Sequence, residues 1–232
     1  MRVEKCTMKK YHIIWVLLLI IAACSPSKEN NTAIAGNIKG LKKGTLYLQR
    51  LQDSTLVNLD SVEIKGEAQF AFDFFLEEPE VLYLYLTKED QNDINDRIAF
   101  FAEPGAIQIN TKWNTFDANA QITGSVSQDL YSEFMEMMSK FNLKELEIAK
   151  AMQKDTLAFD SLQTILRKNT VNRYRYALNF GLNHPETEVT PYVLMKEIKD
   201  ANPIYLDSVY KLLKPEIAQS KYGKVLGKQL GK

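Results

Sequence analysis

Between Ala33 and Gly124, apolar and polar residues alternate in short runs broken by Gly, Pro, Asp and Asn, a spacing that suits strands of an antiparallel sandwich rather than helices. The runs predict eight strands, near residues 33–39, 44–51, 55–64, 68–75, 81–88, 96–103, 106–112 and 118–123. Gln69-Phe70-Ala71-Phe72-Asp73-Phe74 puts three phenylalanines on one side, so that side belongs to a core. In Val81-Leu82-Tyr83-Leu84-Tyr85-Leu86 the leucines share one side and the tyrosines the other. Both faces of that strand are largely apolar, and a second layer is expected over the tyrosines. Glu103-Pro104-Gly105 suits a tight turn in which proline fixes φ and glycine accepts a positive φ, so the flanking runs are expected to form a hairpin.

After Gly124 the period lengthens to about 3.6. Ser125 and Gln128 have capping-box spacing, and Leu130, Phe134, Met137, Met138, Phe141 and Ile148 then fall on one face of a long amphipathic helix. Asp155 or Thr156 can cap a second, whose stripe is Phe159, Leu162, Ile165, Leu166, Tyr176, Ala177 and Phe180 and whose stop is Gly181. Helices of about 24 residues would each run about 36 Å, and a short connection makes them antiparallel. Three shorter helices are announced by Pro191, Pro203 and Pro215 near their first turns. The expected fold class is α+β: an antiparallel β-sandwich over residues 33–124, then an all-helical segment over 125–232.

Ahead of the sandwich, Ile13 to Ala23 form an apolar run that follows Lys9 and Lys10 and ends at Cys24. It falls short of the roughly 20 residues of a membrane span and reads as the apolar core of a secretory signal. Ile21-Ala22-Ala23-Cys24 resembles the lipobox of bacterial lipoproteins, which implies cleavage after residue 23 and a diacylglycerol on the Cys24 sulfur. An uncleaved anchor helix is the alternative. Residues 1–23 are then signal and residues 24–32 a polar tether. Met8 is an alternative start. Ser25 is not the aspartate that retains some lipoproteins at the inner membrane, so the expected location is the outer membrane of a cell envelope, on its periplasmic or surface side.

The chain has 29 basic and 29 acidic side chains. Residues 1–23 hold four bases and one acid, which leaves 25 bases against 28 acids and a net charge of −3 from Cys24 onward. Nucleic acid is set aside as a partner, because its binders carry a basic face or stripe. The two cysteines, Cys6 and Cys24, lie in the signal and at the lipid site, so neither a disulfide nor a Cys-x-x-Cys redox centre is expected. His12 and His184 are the only histidines, too few for a His-rich metal site, and there is no Gly-x-Ser-x-Gly elbow. Glu77, Glu78 and Glu80 around Pro79 read as a solvated acidic loop rather than a glycosidase pair. No catalytic residue, metal or cofactor is expected. Lys221, Lys224, Lys228 and Lys232 fall at helical spacing and form either a basic edge or lysines at a helix end. The glycines around Lys224 are too close together for a phosphate loop. Tyr83 and Tyr85 are candidate contacts for a sugar or peptide, against the plainer reading that they lie beneath the helices. Asp-Ser/Thr-aliphatic tripeptides, similar to acceptors of periplasmic O-glycosylation, make Ser54, Ser61, Thr156, Ser161 and Ser208 candidate modification sites, though such residues also serve turns and caps.

The order of Ile34-Ala35-Gly36-Asn37-Ile38-Lys39-Gly40-Leu41, Gly44-Thr45-Leu46-Tyr47-Leu48, Asp60-Ser61-Val62, Gln69-Phe70-Ala71-Phe72, Phe100-Phe101-Ala102-Glu103-Pro104-Gly105-Ala106-Ile107 and Ile122-Thr123-Gly124-Ser125 resembles the uncharacterised β-rich domain at the front of bacterial lipoproteins of the thiol-disulfide oxidoreductase and peroxiredoxin-like kind. The resemblance covers residues 33 to about 135. It implies an accessory or recognition domain, and no redox activity is carried over, because the thioredoxin-like module with its Cys-x-x-Cys is not in this sequence. The expected function is a non-enzymatic, lipid-anchored binding or scaffolding module with an envelope protein as partner. An accessory role in an envelope thiol-disulfide pathway, beside a separate thioredoxin-like protein, is the alternative.

Overall fold

A computed structural model describes residues 29–88, 96–154 and 157–232. The layout is α+β, with two sheets over residues 32–123 and helices over 126–229. The strands are β1 (Thr32–Lys39), β2 (Lys43–Gln52), β3 (Thr55–Lys65), β4 (Gln69–Phe74), β5 (Glu80–Lys88), β6 (Asp96–Ala102), β7 (Gly105–Lys112) and β8 (Gln121–Thr123). The first sheet has the order β4-β1-β7-β8 and the second β3-β2-β5-β6. Alternate residues explain the pairing: Ile34, Ile38, Phe70, Phe72, Ile107 and Ile109 of the first sheet meet Leu46, Leu48, Leu82, Leu84 and Phe100 of the second in one core. Each such side chain, fully buried, contributes about 1.5–3 kcal/mol.

Two expectations are corrected. The sandwich is not wholly antiparallel, since β1 and β7 run parallel, with Thr32 opposite Gly105 and Lys39 opposite Lys112. Glu103-Pro104-Gly105 is not a hairpin turn either, because β6 pairs with β5 and β7 with β1. It is a corner that carries the chain from one sheet to the other. Gly105, at φ 135°, donates its N–H to Asn31 O at 2.9 Å, which fixes the start of β7 beside the start of β1. From there Ile107 and Ile109 bury on the same side as Ile34 and Ile38, and that shared apolar face selects β1 as partner.

The outward side of β5 and β6 is covered, as the two-sided pattern of β5 requires. Val81 and Phe101 pack with Tyr131, Phe134, Met138, Ala177 and Phe180 in a second core, so the molecule has three layers. α1 (Val126–Lys154) and α2 (Phe159–Asn183) run antiparallel, with ring contacts Phe134–Phe180 and Phe141–Tyr176. α1 starts where the capping spacing puts it: Ser125 Oγ accepts from Gln128 N at 3.0 Å. Gln128 does not close the box but accepts from Phe101 N at 2.7 Å, which ties the helix to β6. Glu103 adds a second cap, accepting from Val126 N at 2.5 Å. Four short helices follow, one more than expected: α3 (Val189–Glu197), α4 (Pro203–Tyr210), α5 (Pro215–Gln219) and α6 (Lys221–Gln229). The extra one, α6, forms in the lysine-rich tail, where Ser220 Oγ accepts from Gly223 N at 3.2 Å.

Candidate binding surfaces

Tyr83 and Tyr85 sit on the helix-facing side of β5, two residues apart, but in different surroundings. Tyr83 packs half-buried against the second core, under the helical layer. Around it Phe101, Tyr131, Tyr192 and Tyr222 meet edge-on or tilted with centroids 4.9–6.0 Å apart. Burial pushes the Tyr192 and Tyr222 hydroxyls above the usual phenol range. The Tyr222 oxygen accepts from Val81 N at 2.8 Å, and Lys196 Nζ donates to the Tyr131 oxygen at 3.1 Å. Tyr85 stacks on Tyr47 with centroids 5.9 Å apart and carries the Arg97 guanidinium 4.8 Å above its ring. The pair therefore offers no single aromatic platform.

The acidic run beside Pro79 is more than a solvated loop. Glu80 is 5% exposed and holds Arg50 Nε at 2.6 Å and Lys221 Nζ at 2.5 Å, while both Glu78 oxygens accept from Lys221 N at 2.9 and 3.0 Å. These carboxylates fasten α6 to the second sheet. The lysine series is split accordingly: Lys221 serves Glu80, Lys232 pairs with Asp207, and Lys224 and Lys228 remain exposed. Hydrogen bonds from Lys211 and Lys232 hold the Asp207 carboxyl below its ordinary range. Glu188, at the start of α3, is pushed above the ordinary range, mainly by burial and further by Glu78, Glu103 and Glu216. His184 ends α2 with its ring 4.6 Å from that of Phe180.

The candidate modification residues that are described all lie exposed. Ser54 follows Asp53 in the two-residue turn between β2 and β3, and both adopt positive φ, 69° and 46°. Ser61 lies on β3. Ser161 and Ser208 bond back into their helices, to Ala158 O and Ile204 O, each at 2.8 Å. Thr156, Cys24 and the expected signal of residues 1–23 lie outside the described residues.

The surface that sequence reasoning missed is the outward face of the first sheet. Its residues are the ones between the core positions, Ala33, Ala35 and Asn37 on β1 and their neighbours on β4, β7 and β8. They are partly or fully exposed, and no described helix covers them. A groove of about 590 Å³ runs along this face past Asn37, Val62, Gln69, Ala71 and Gln108. The available clue was the type of residue at alternate strand positions, Asn, Gln and Ala where β-branched residues are usual. A second hollow, of about 620 Å³, opens at the end of the second sheet among Lys42, Lys43, Lys65 and Lys88. Among the described residues no helix is long and apolar enough to cross a membrane. Among them, too, no group of three or more His, Cys, Asp or Glu is placed to hold a metal ion.

Residues 32–131 match DUF4369, a domain of unknown function. The match spans all eight strands and the first turns of α1. No curated protein matches the chain.

Proposed function

We propose that this chain is a non-enzymatic, lipid-anchored protein of the cell envelope, held through Cys24, that binds or scaffolds an envelope partner on the open side of its sandwich. The observation that carries this reading is the asymmetry of the two sheets. The outward side of β5 and β6 is covered by Tyr131, Phe134, Met138, Ala177 and Phe180 of the helices, whereas no described helix covers the outward side of the first sheet across its four strands. A sheet face that none of the described helices covers is a surface available to another molecule.

The entry of the chain supports the same arrangement. Asn31 is pinned to the sandwich through its side chain, which donates to Leu76 O and accepts from Leu76 N, both at 2.8 Å. Asn31 adjoins the start of β1, and a lipid on Cys24 would tether the body from that end. Two experiments test the two halves of the proposal. Metabolic labelling with a fatty-acid probe should mark the protein and fail to mark Cys24→Ala. Crosslinking in intact envelopes should capture a reproducible partner; turnover of a substrate by the purified protein, with no partner captured, would overturn the reading.

A further inference from the structure

The strand register brings four carboxamides into one row on the open face. Asn37 of β1 lies opposite Gln69 of β4 on one side and Asn110 of β7 on the other, and Asn110 lies opposite Gln121 of β8. The row Gln69–Asn37–Asn110–Gln121 thus crosses the whole sheet, about 14 Å at about 4.8 Å per strand. In the next row Gln108 stands beside Ala35 and Thr123, and Ala35 beside Ala71. None of these five carboxamides makes a side-chain hydrogen bond to another described residue, whereas Asn31, Gln49, Asn58, Gln128 and Asn169 all do.

Local physics does not account for the row. Asn and Ala are poor strand formers, and an exposed strand would gain from Thr, Val or Tyr at the same sites. Residues that work against their own element are expected where a surface has another task. The chemistry of the row narrows that task. A carboxamide presents one acceptor and two N–H donors in a plane, which suits neighbouring hydroxyls, each both donor and acceptor. Across both rows the face carries no charge; Asp73 and the Lys39–Lys112 pair stand at its two ends. A charged partner would lose water there without meeting a counter-charge. Peptides favour sheet edges, where main-chain groups are free, over faces. The alanines let a flat ligand approach, and the 590 Å³ groove takes in Asn37 and Gln69 of the first row and Ala35, Ala71 and Gln108 of the second.

We infer that this face binds a neutral, hydroxyl-rich glycan, laid across the strands on the carboxamide row. The inference rests on the reading of the chain as a binding module and names its ligand class. The test is an array of neutral and anionic oligosaccharides probed with the purified protein, followed by titration of the retained glycan into the wild type and the variant N37T/N110T. The wild type should retain neutral glycans. The variant should bind at least tenfold more weakly (about 1.4 kcal/mol) with an unchanged or higher Tm, since threonine is the better strand residue. Q121T, at the sheet edge, repeats the test should the double variant lose its fold. Retention of only anionic glycans or peptides, no retention at all, or equal binding by the variants overturns the inference. An envelope protein captured equally by wild type and N37T/N110T would overturn it too, while leaving the binding-module reading in place.

Discussion

Gly36 is the position with the least room for change. It faces inward on β1, where an added Cβ would lie 1.7 Å from Ile109 O and 2.8 Å from the Phe70 ring. Ile109 O is backbone of β7 and cannot yield without disturbing the β1–β7 pairing, so Gly36→Ala should cost at least about 2 kcal/mol. A denaturant midpoint that falls with m unchanged would bear this out; a wild-type midpoint would refute it. Glu188 makes the opposite case. Its carboxyl is raised because burial penalises the charge, so the fold holds that proton more tightly than the unfolded chain does. Its contribution to stability is accordingly favourable at low pH and is lost as pH rises through the carboxylate range. Glu188→Gln should raise Tm by a few degrees near pH 7 and by nothing near pH 4, at about the unperturbed carboxylate values. An equal gain at both would show that something other than ionisation is at work. At this scale the sequence was partly legible. Ser125 and Gln128 announced a cap by spacing alone, but the Phe101 amide that takes the Gln128 oxygen lies 27 residues away and becomes its neighbour only through β6.

Elements were more legible, because periodicity is local and the core is its direct consequence. The two-sided pattern of β5 called for a covering layer, and the helices supply it through Tyr131, Phe134 and Met138. Sheet membership was not legible, since proline and glycine at residues 104 and 105 permit a hairpin and a corner equally well, and only the parallel pairing with β1 decides between them. The same helices divide into a docked half and a projecting half. In α1 the buried residues run from Ser127 to Met138 and then only Ile148, and in α2 they begin at Ala177. Amide hydrogens of residues 142–154 and 159–172 should therefore exchange faster than those of 128–138 and 177–182, as mass spectrometry of peptides from these segments would show. The latch on α6 behaves as one unit. Glu80→Gln leaves two cations without their shared acid and should destabilise by roughly 1–3 kcal/mol, discounted because Arg50 and Lys221 are each about a third exposed. Lys221→Met should cost less, because Glu80 keeps Arg50; a larger loss than for Glu80→Gln would refute the latch.

For the whole molecule, the helical layer is a structural necessity as well as an appendage. Without it Val81, Phe101 and Tyr83 would face water on an otherwise complete sheet. A chain ended at Ser125 should therefore bind a hydrophobic dye and aggregate, and a soluble monomer that binds none would show that the sandwich stands alone. Why the open face escaped sequence reading also belongs to this scale. Asn37, Gln69, Asn110 and Gln121 are spread over 85 residues of chain, and only register assembles them.

The partnership of β1 with β7 sets an order of events. Of the eight strands β1 is made first, yet its parallel neighbour begins 73 residues later, at Gly105 opposite Thr32. Early in synthesis the β2–β3 ribbon can close on its own two-residue turn, while β1 waits with both flanks unsatisfied until β4 and then β7 emerge. Substitutions in β1 should thus leave refolding speed nearly untouched and hasten unfolding, and the first strand to be synthesised would be the last to be locked in place.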